Sequence, residues 1–181
     1  MLMDFITKPE IIQSLKRLGQ LAESYGEQIE LVTVGGALML LAYDARPTTK
    51  DIDVLITMPD NRTLVRQLAK QVAEERNLPE DWLNDAAKGY FIGLSIGEVL
   101  LDLPGIKVHA PSIEQALAMK VSAWRTDKDI DDALVLMQQI TRKNQRKEEI
   151  WFAVQPFLVP GCELKAQYAF DELWRIIYGE D

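Results

Sequence analysis

A glycine pair closing one apolar run, followed by an acidic pair inside the next, is what most limits how this chain can fold. Leu31-Val32-Thr33-Val34 ends in Gly35-Gly36, and fifteen residues after Gly36 comes Asp51-Ile52-Asp53-Val54-Leu55. A strand that ends in two glycines and enters a helix leaves backbone N–H groups over at the helix start, and without Cβ atoms an anion can approach them closely. Taken alone, the pair also fits a tight turn. Asp51 and Asp53, two apart on a strand, leave the same face about 7 Å from each other. Carboxylates so placed can converge on one divalent ion, or on two ions about 3.5–4 Å apart. Without a cation they would repel one another and resist ionisation. Taken together, the two patterns predict a phosphate site beside a metal site.

Other residues join this pair. Arg46, Thr48, Thr49 and Lys50 crowd the entrance to the acidic strand, either as phosphate contacts or as a capped, charged loop. On a helix from Ile113, the stripe Ile113, Ala116, Leu117, Val121 and Trp124 has Lys120 near its middle. A lysine facing a core needs a carboxylate, a phosphate or a route to water. On the following helix, Asp129 lies beside the stripe Ile130, Ala133, Leu134 and Met137, whereas Asp132 points further outward. Asp129 is therefore the better candidate for a buried partner of Lys120 or Arg125. Asp102, in Leu100-Leu101-Asp102-Leu103, is the candidate third metal carboxylate, with Glu98 a further one and a hairpin residue the plainer reading of Asp102. Arg142, Lys143, Arg146 and Lys147 form a basic cluster, either an RNA contact or a solvated helix junction. Trp174 and Tyr178 read as core.

Composition narrows the chemistry. A net charge of −8 disfavours a general nucleic-acid coat. The one histidine, His109, and one cysteine, Cys162, argue against a zinc centre and leave oxygen ligands, which suit magnesium or manganese. No apolar run approaches the ~18–20 residues of a membrane span. Met1-Leu-Met-Asp-Phe lacks the basic and apolar regions of a signal peptide. A single cysteine cannot form an internal disulfide, so a reducing cytoplasm is expected.

Apolar spacing predicts helices over 11–25, 37–43, 62–75 and 79–87, and strands over 31–34 and 51–57. Ile52, Val54 and Ile56 should share one face, with Asp51, Asp53 and Leu55 on the other. Pro104-Gly105 should turn between two strands, and Ser112 with Gln115 should form a capping box. The remainder reads as helices broken near 125–128, 141–144 and 160–161. The expected architecture is α+β, a mixed sheet flanked by helices over 1–110. A C-terminal helical bundle over 111–181 is expected to pack on that core and close one side of a cleft.

Val34-Gly35-Gly36 and Asp51-Ile52-Asp53 resemble the signature of the nucleotidyltransferase superfamily, the polymerase-beta-like fold: a Gly-Gly or Gly-Ser turn, a short helix, then an Asp-x-Asp or Asp-x-Glu strand. Arg46-Pro-Thr-Thr-Lys-Asp-Ile-Asp53 and Asp81-Trp82-Leu83-Asn84-Asp85-Ala86-Ala87 are similar to a branch of small bacterial members. Leu117-Ala-Met-Lys120-Val-Ser-Ala-Trp-Arg125, with Asp129 and Asp132, resembles the abortive-infection and toxin–antitoxin members, in which a lysine and a later aspartate join the acidic pair. The likeness runs from Leu31 to Met137. It implies magnesium- or manganese-dependent transfer of a nucleoside monophosphate from a nucleoside triphosphate to an acceptor hydroxyl on RNA, protein or a small molecule, with an antitoxin-like protein as partner. It also implies the roles. Asp51 and Asp53 hold metal, Gly35, Gly36, Arg46, Thr49 and Lys50 hold phosphate, Lys120 neutralises phosphate charge, and Asp129 or Asp102 completes the site. Gly36 stands where many members have serine, which keeps open a second reading, a nucleotide- or partner-binding module without catalysis.

Overall fold

The computed structural model describes residues 5–141 and 146–179 and is α+β. It divides into two compact units, Met1–Lys88 with Ile96–Ala110, and Gly89–Ser95 with Pro111–Asp181.

The first unit carries the sheets. Its strands are β1 (Ile6–Thr7), β2 (Ile29–Val34), β3 (Thr48–Thr49), β4 (Ile52–Met58), β5 (Leu83–Asn84), β6 (Val99–Leu103) and β7 (Ile106–His109). Its helices are α1 (Lys8–Ser24), α2 (Gly35–Tyr43) and α3 (Arg62–Arg76). Five strands form a mixed sheet in the order β5-β4-β2-β7-β6, and β1 pairs with β3 in a separate ribbon. β2 lies antiparallel to β4 and parallel to β7, so the glycine-ending strand is central. β4 alternates as its sequence predicts: Ile52, Val54 and Ile56 are buried, while Asp53, Leu55 and Thr57 are only partly so. The buried face joins Leu31 and Val108 in one core with Ile11, Leu15 and Leu18 of α1 and Val65, Leu68 and Val72 of α3. Thr7 and Glu10 form a capping box that starts α1 three residues ahead of the apolar stripe.

One contact in this core has a testable sign. A Cβ on Gly19 would overlap the Pro104 carbonyl oxygen and lie 2.7 Å from Ile106 Cγ2. Gly105, at φ +72°, sits against the Gly19 carbonyl in turn. Gly19 is in the middle of α1, where alanine is intrinsically favoured by about 1 kcal/mol. Overpacking against backbone costs about 1–3 kcal/mol and outweighs that gain. Gly19→Ala should therefore lower stability in a denaturant titration; a rise would show that the helix and the turn are not in this contact.

The sequence predicts a helix over 79–87; the chain instead forms a turn, the strand β5 beside β4, and a short 3-10 helix over Ala86–Tyr90. Trp82 decides this. Its side chain is wholly buried and its Nε1 donates to the Ala69 carbonyl of α3 at 2.9 Å, while the Ile52 N–H donates to the Trp82 carbonyl at 2.7 Å. Burying the largest side chain against α3 fixes the segment as an edge strand.

The second unit holds α4 (Ile113–Ala123), α5 (Asp127–Thr141), α6 (Lys147–Val154) and α7 (Glu163–Tyr178). α4 packs against each of the other three helices. Ser112 caps α4 by accepting from the Gln115 N–H at 3.2 Å, but Gln115 does not complete the expected box. Its buried amide accepts from the Ser95 N–H at 3.0 Å and donates to the carbonyls of Ile92 and Gly93, which ties down 92–95. Trp174 and Tyr178 are not core: their rings stack at 4.3 Å between centroids, and Tyr178 is exposed. Of the basic cluster, Arg142 and Lys143 lie outside the described residues. Arg146 pairs with Glu149 and Lys147 with Asp171, which offsets the local positive charge. Among the described residues, no helix is long and apolar enough to cross a membrane.

Candidate active site

Strand pairing brings the glycine turn to the acidic strand. Val34, the last residue of β2, lies opposite Asp53 of β4, and the Thr33 hydroxyl donates to the Asp53 carbonyl at 3.2 Å. Gly35 follows at φ +64°, a conformation that costs other residues about 1–2 kcal/mol. A Cβ there would lie 3.0 Å from Asp53 Oδ2, so the carboxylate rests against the glycine backbone. α2 starts with Val34 at its N-cap and has no side-chain cap. The N–H groups of a first turn and the positive end of a helix dipole thus open beside a carboxylate.

Gly36 is walled by the β3 approach. A Cβ on it would stand 2.6 Å from Thr49 Oγ1 and 3.2 Å from Arg46 Nη1. Thr49 is buried, and its hydroxyl donates to the Asp51 carbonyl at 3.0 Å. Packing alone therefore favours glycine at 36. Arg46 and Thr49 thus border the turn. Lys50 is exposed, with its ammonium 6.0 Å from the Phe5 ring centre, and its charge also acts on Asp51.

Asp51 sits just ahead of β4. Burial pushes its carboxyl pKa above the ordinary range, and the Asp81 charge pushes the same way; the Asn84 amide and Lys50 oppose them. Asn84 pairs in register with Asp53, and its Nδ2 donates to Asp51 Oδ2 at 3.4 Å. Asn84 and Asp81 were missed in the sequence because their segment reads as a helix.

The raised pKa of Asp51 predicts a pH dependence. The folded state binds this proton more tightly than the unfolded chain, so stability is lost as pH rises from the ordinary carboxylate value of ~4 through the raised one. Asp51→Asn should be more stable than the wild type at pH 7, and the gain should vanish below about pH 4. Melting curves across that range check this. A gain that grows toward acid pH would contradict the assignment.

Asp102 does not join the pair. It lies opposite Lys107, Lys107 lies beside Glu30, and Glu30 lies opposite Met58, at the far end of β4 from Asp53. Three strand spacings of about 4.8 Å and five residues of about 3.3 Å separate them, too far to share an ion. Asp102 is exposed and pairs with Lys107 at 3.6 Å. Glu98 is exposed in the segment before β6. Among the described residues, no group of three or more His, Cys, Asp or Glu side chains is placed to hold a metal.

Lys120 and Asp129 meet within the second unit. Lys120 Nζ lies 3.4 Å from Asp129 Oδ1, as the spacing predicts, and 2.6 Å from Asp132 Oδ2, which it does not. Asp132 is almost wholly buried rather than outward. Asp129 Oδ2 also accepts from the Arg125 N–H at 3.1 Å. One ammonium thus serves two buried carboxylates, so its charge is more than balanced already.

The model of a protein family described as "Nucleotidyltransferase of unknown function (DUF6036)" matches residues 10–143. The match spans the glycine turn, the acidic pair, β5 and the Lys120 cluster. No curated protein and no solved structure matches the chain.

Proposed function

Because the chain belongs to this family of nucleotidyltransferases of unknown function, we propose that it transfers a nucleoside monophosphate from a nucleoside triphosphate to an acceptor hydroxyl on RNA or protein, with magnesium or manganese as cofactor. The observation that carries this reading is the contact of Asp53 with the Gly35 backbone at the entry to α2.

The donor set fits a hard divalent ion. Asp51 and Asp53 supply carboxylate oxygens, and Asp51 is held in surroundings that disfavour its ionised form until a cation arrives. Magnesium is usually bound by one or two carboxylates, with water and substrate phosphates filling the other positions, so a third protein carboxylate is not needed. The ion would neutralise charge on the transferring phosphoryl group. The chain's own part is positioning. The first-turn N–H groups at Gly35 and Gly36 receive phosphate oxygens, Arg46 and Lys50 add positive charge, and Thr49 keeps the Asp51 backbone in place. An antitoxin-like protein partner accords with the toxin–antitoxin resemblance.

Pyrophosphate release tests the proposal. Protein, nucleoside triphosphate and cell extract should release pyrophosphate only with magnesium or manganese. Metal-dependent nucleotide binding with no pyrophosphate under any acceptor mixture would favour the binding-module reading instead.

A further inference from the structure

We infer that Asn84 is a positioning residue of the acidic site, holding the Asp51 carboxylate by one oxygen so that the other is presented to a divalent cation beside Asp53. This rests on the metal-site reading above.

Different contacts fix the two carboxylates. Asp53 stands inside the β2–β4 ladder and rests against Gly35. Asp51 precedes the strand and needs another hold on its side chain. β5 supplies it. This strand is only two residues long and pairs with β4 at Ile52 and Asp53 alone. Residues paired across neighbouring strands point to the same face, so Asn84 shares the face of Asp53. Its Nδ2 donates to Asp51 Oδ2.

Both neighbours of this strand are anchored to α3. On one side the Trp82 indole donates to the Ala69 carbonyl. On the other, Asp85 pairs with Arg66. Two anchors on one helix hold a two-residue strand over the acidic pair, which leaves the Asn84 amide little freedom. An amide suits the place: it donates to a carboxylate without adding a third negative charge. Hydrogen-bond partners that orient a metal ligand typically change affinity 10–100-fold when removed.

The test titrates manganese, then magnesium, into the full chain by calorimetry, with melting curves alongside. Asn84→Ala should weaken ion affinity at least 10-fold while the melting temperature holds. Asn84→Asp, similar in shape but without the donor, should not restore affinity. Equal affinity in Asn84→Ala would overturn the positioning role. So would tighter binding by Asn84→Asp, which would make residue 84 a ligand. A wild-type chain that binds neither ion would overturn the metal-site reading and, with it, the positioning role; a change confined to Asn84→Ala would not touch that reading.

Discussion

Asp53→Ala should reduce metal-dependent nucleotide transfer by about 10³-fold or more while leaving the chain folded. A bound metal ion supplies several kcal/mol of charge stabilisation to phosphoryl transfer, and each 1.36 kcal/mol is tenfold in rate. Asp53 is the member of the pair that touches the glycine turn, so its loss removes a metal ligand and opens the wall beside Gly35. The fold should survive because Asp53 keeps its backbone place in the β2–β4 ladder, including the Thr33 hydroxyl bond to its carbonyl. Asp53→Asn keeps the shape and should lose nearly as much activity. Far-ultraviolet circular dichroism and a rate measurement on both variants check this. Retention of more than a tenth of wild-type activity by either would place the metal elsewhere.

Lys120→Met should destabilise the protein by about 3–5 kcal/mol, the cost of removing one partner from a buried charge group. At roughly 2–4 °C per kcal/mol for a chain of this size, the melting temperature should fall by roughly 6–20 °C. The reason is the second acid. With Asp129 alone, a methionine of similar length could be tolerated. With Asp132 also buried against the ammonium, the substitution takes from two buried carboxylates the cation they share. Adding Asp129→Asn and Asp132→Asn to Lys120→Met should recover much of the loss, because the two acids then carry no buried charge. A neutral or stabilising Lys120→Met would mean the cluster is not formed in solution.

The parts of the fold with strong periodicity were legible in the sequence. The alternation of β4, the stripes of α1 and α3, and the Pro104-Gly105 turn all appear where the pattern puts them. That the glycine turn and Asp53 lie side by side was legible because each has a local physical reason. β5 was not legible. A two-residue strand has no period of its own and exists only through its pairing with β4. Asn84 was lost with it. Asp102 misled for a related reason: its apolar–acid–apolar setting matches that of Asp53, and nothing in such a pattern says which edge of the sheet a strand takes. Asp132 was misplaced by projecting α5 onto its own apolar stripe. Residues three apart on a helix are neighbours, so a long lysine from α4 that reaches Asp129 reaches Asp132 as well.

Paired labels read directly which bond of a nucleotide the protein breaks. The wild-type chain, with magnesium and cell extract, is given nucleoside triphosphate labelled at the α-phosphate in one arm and at the γ-phosphate in the other. Nucleotidyl transfer predicts that the α-label enters a macromolecular acceptor while the γ-label leaves as pyrophosphate, and that Asp53→Asn abolishes both. Transfer of the γ-label to the acceptor, or labelling that persists in Asp53→Asn, would contradict it.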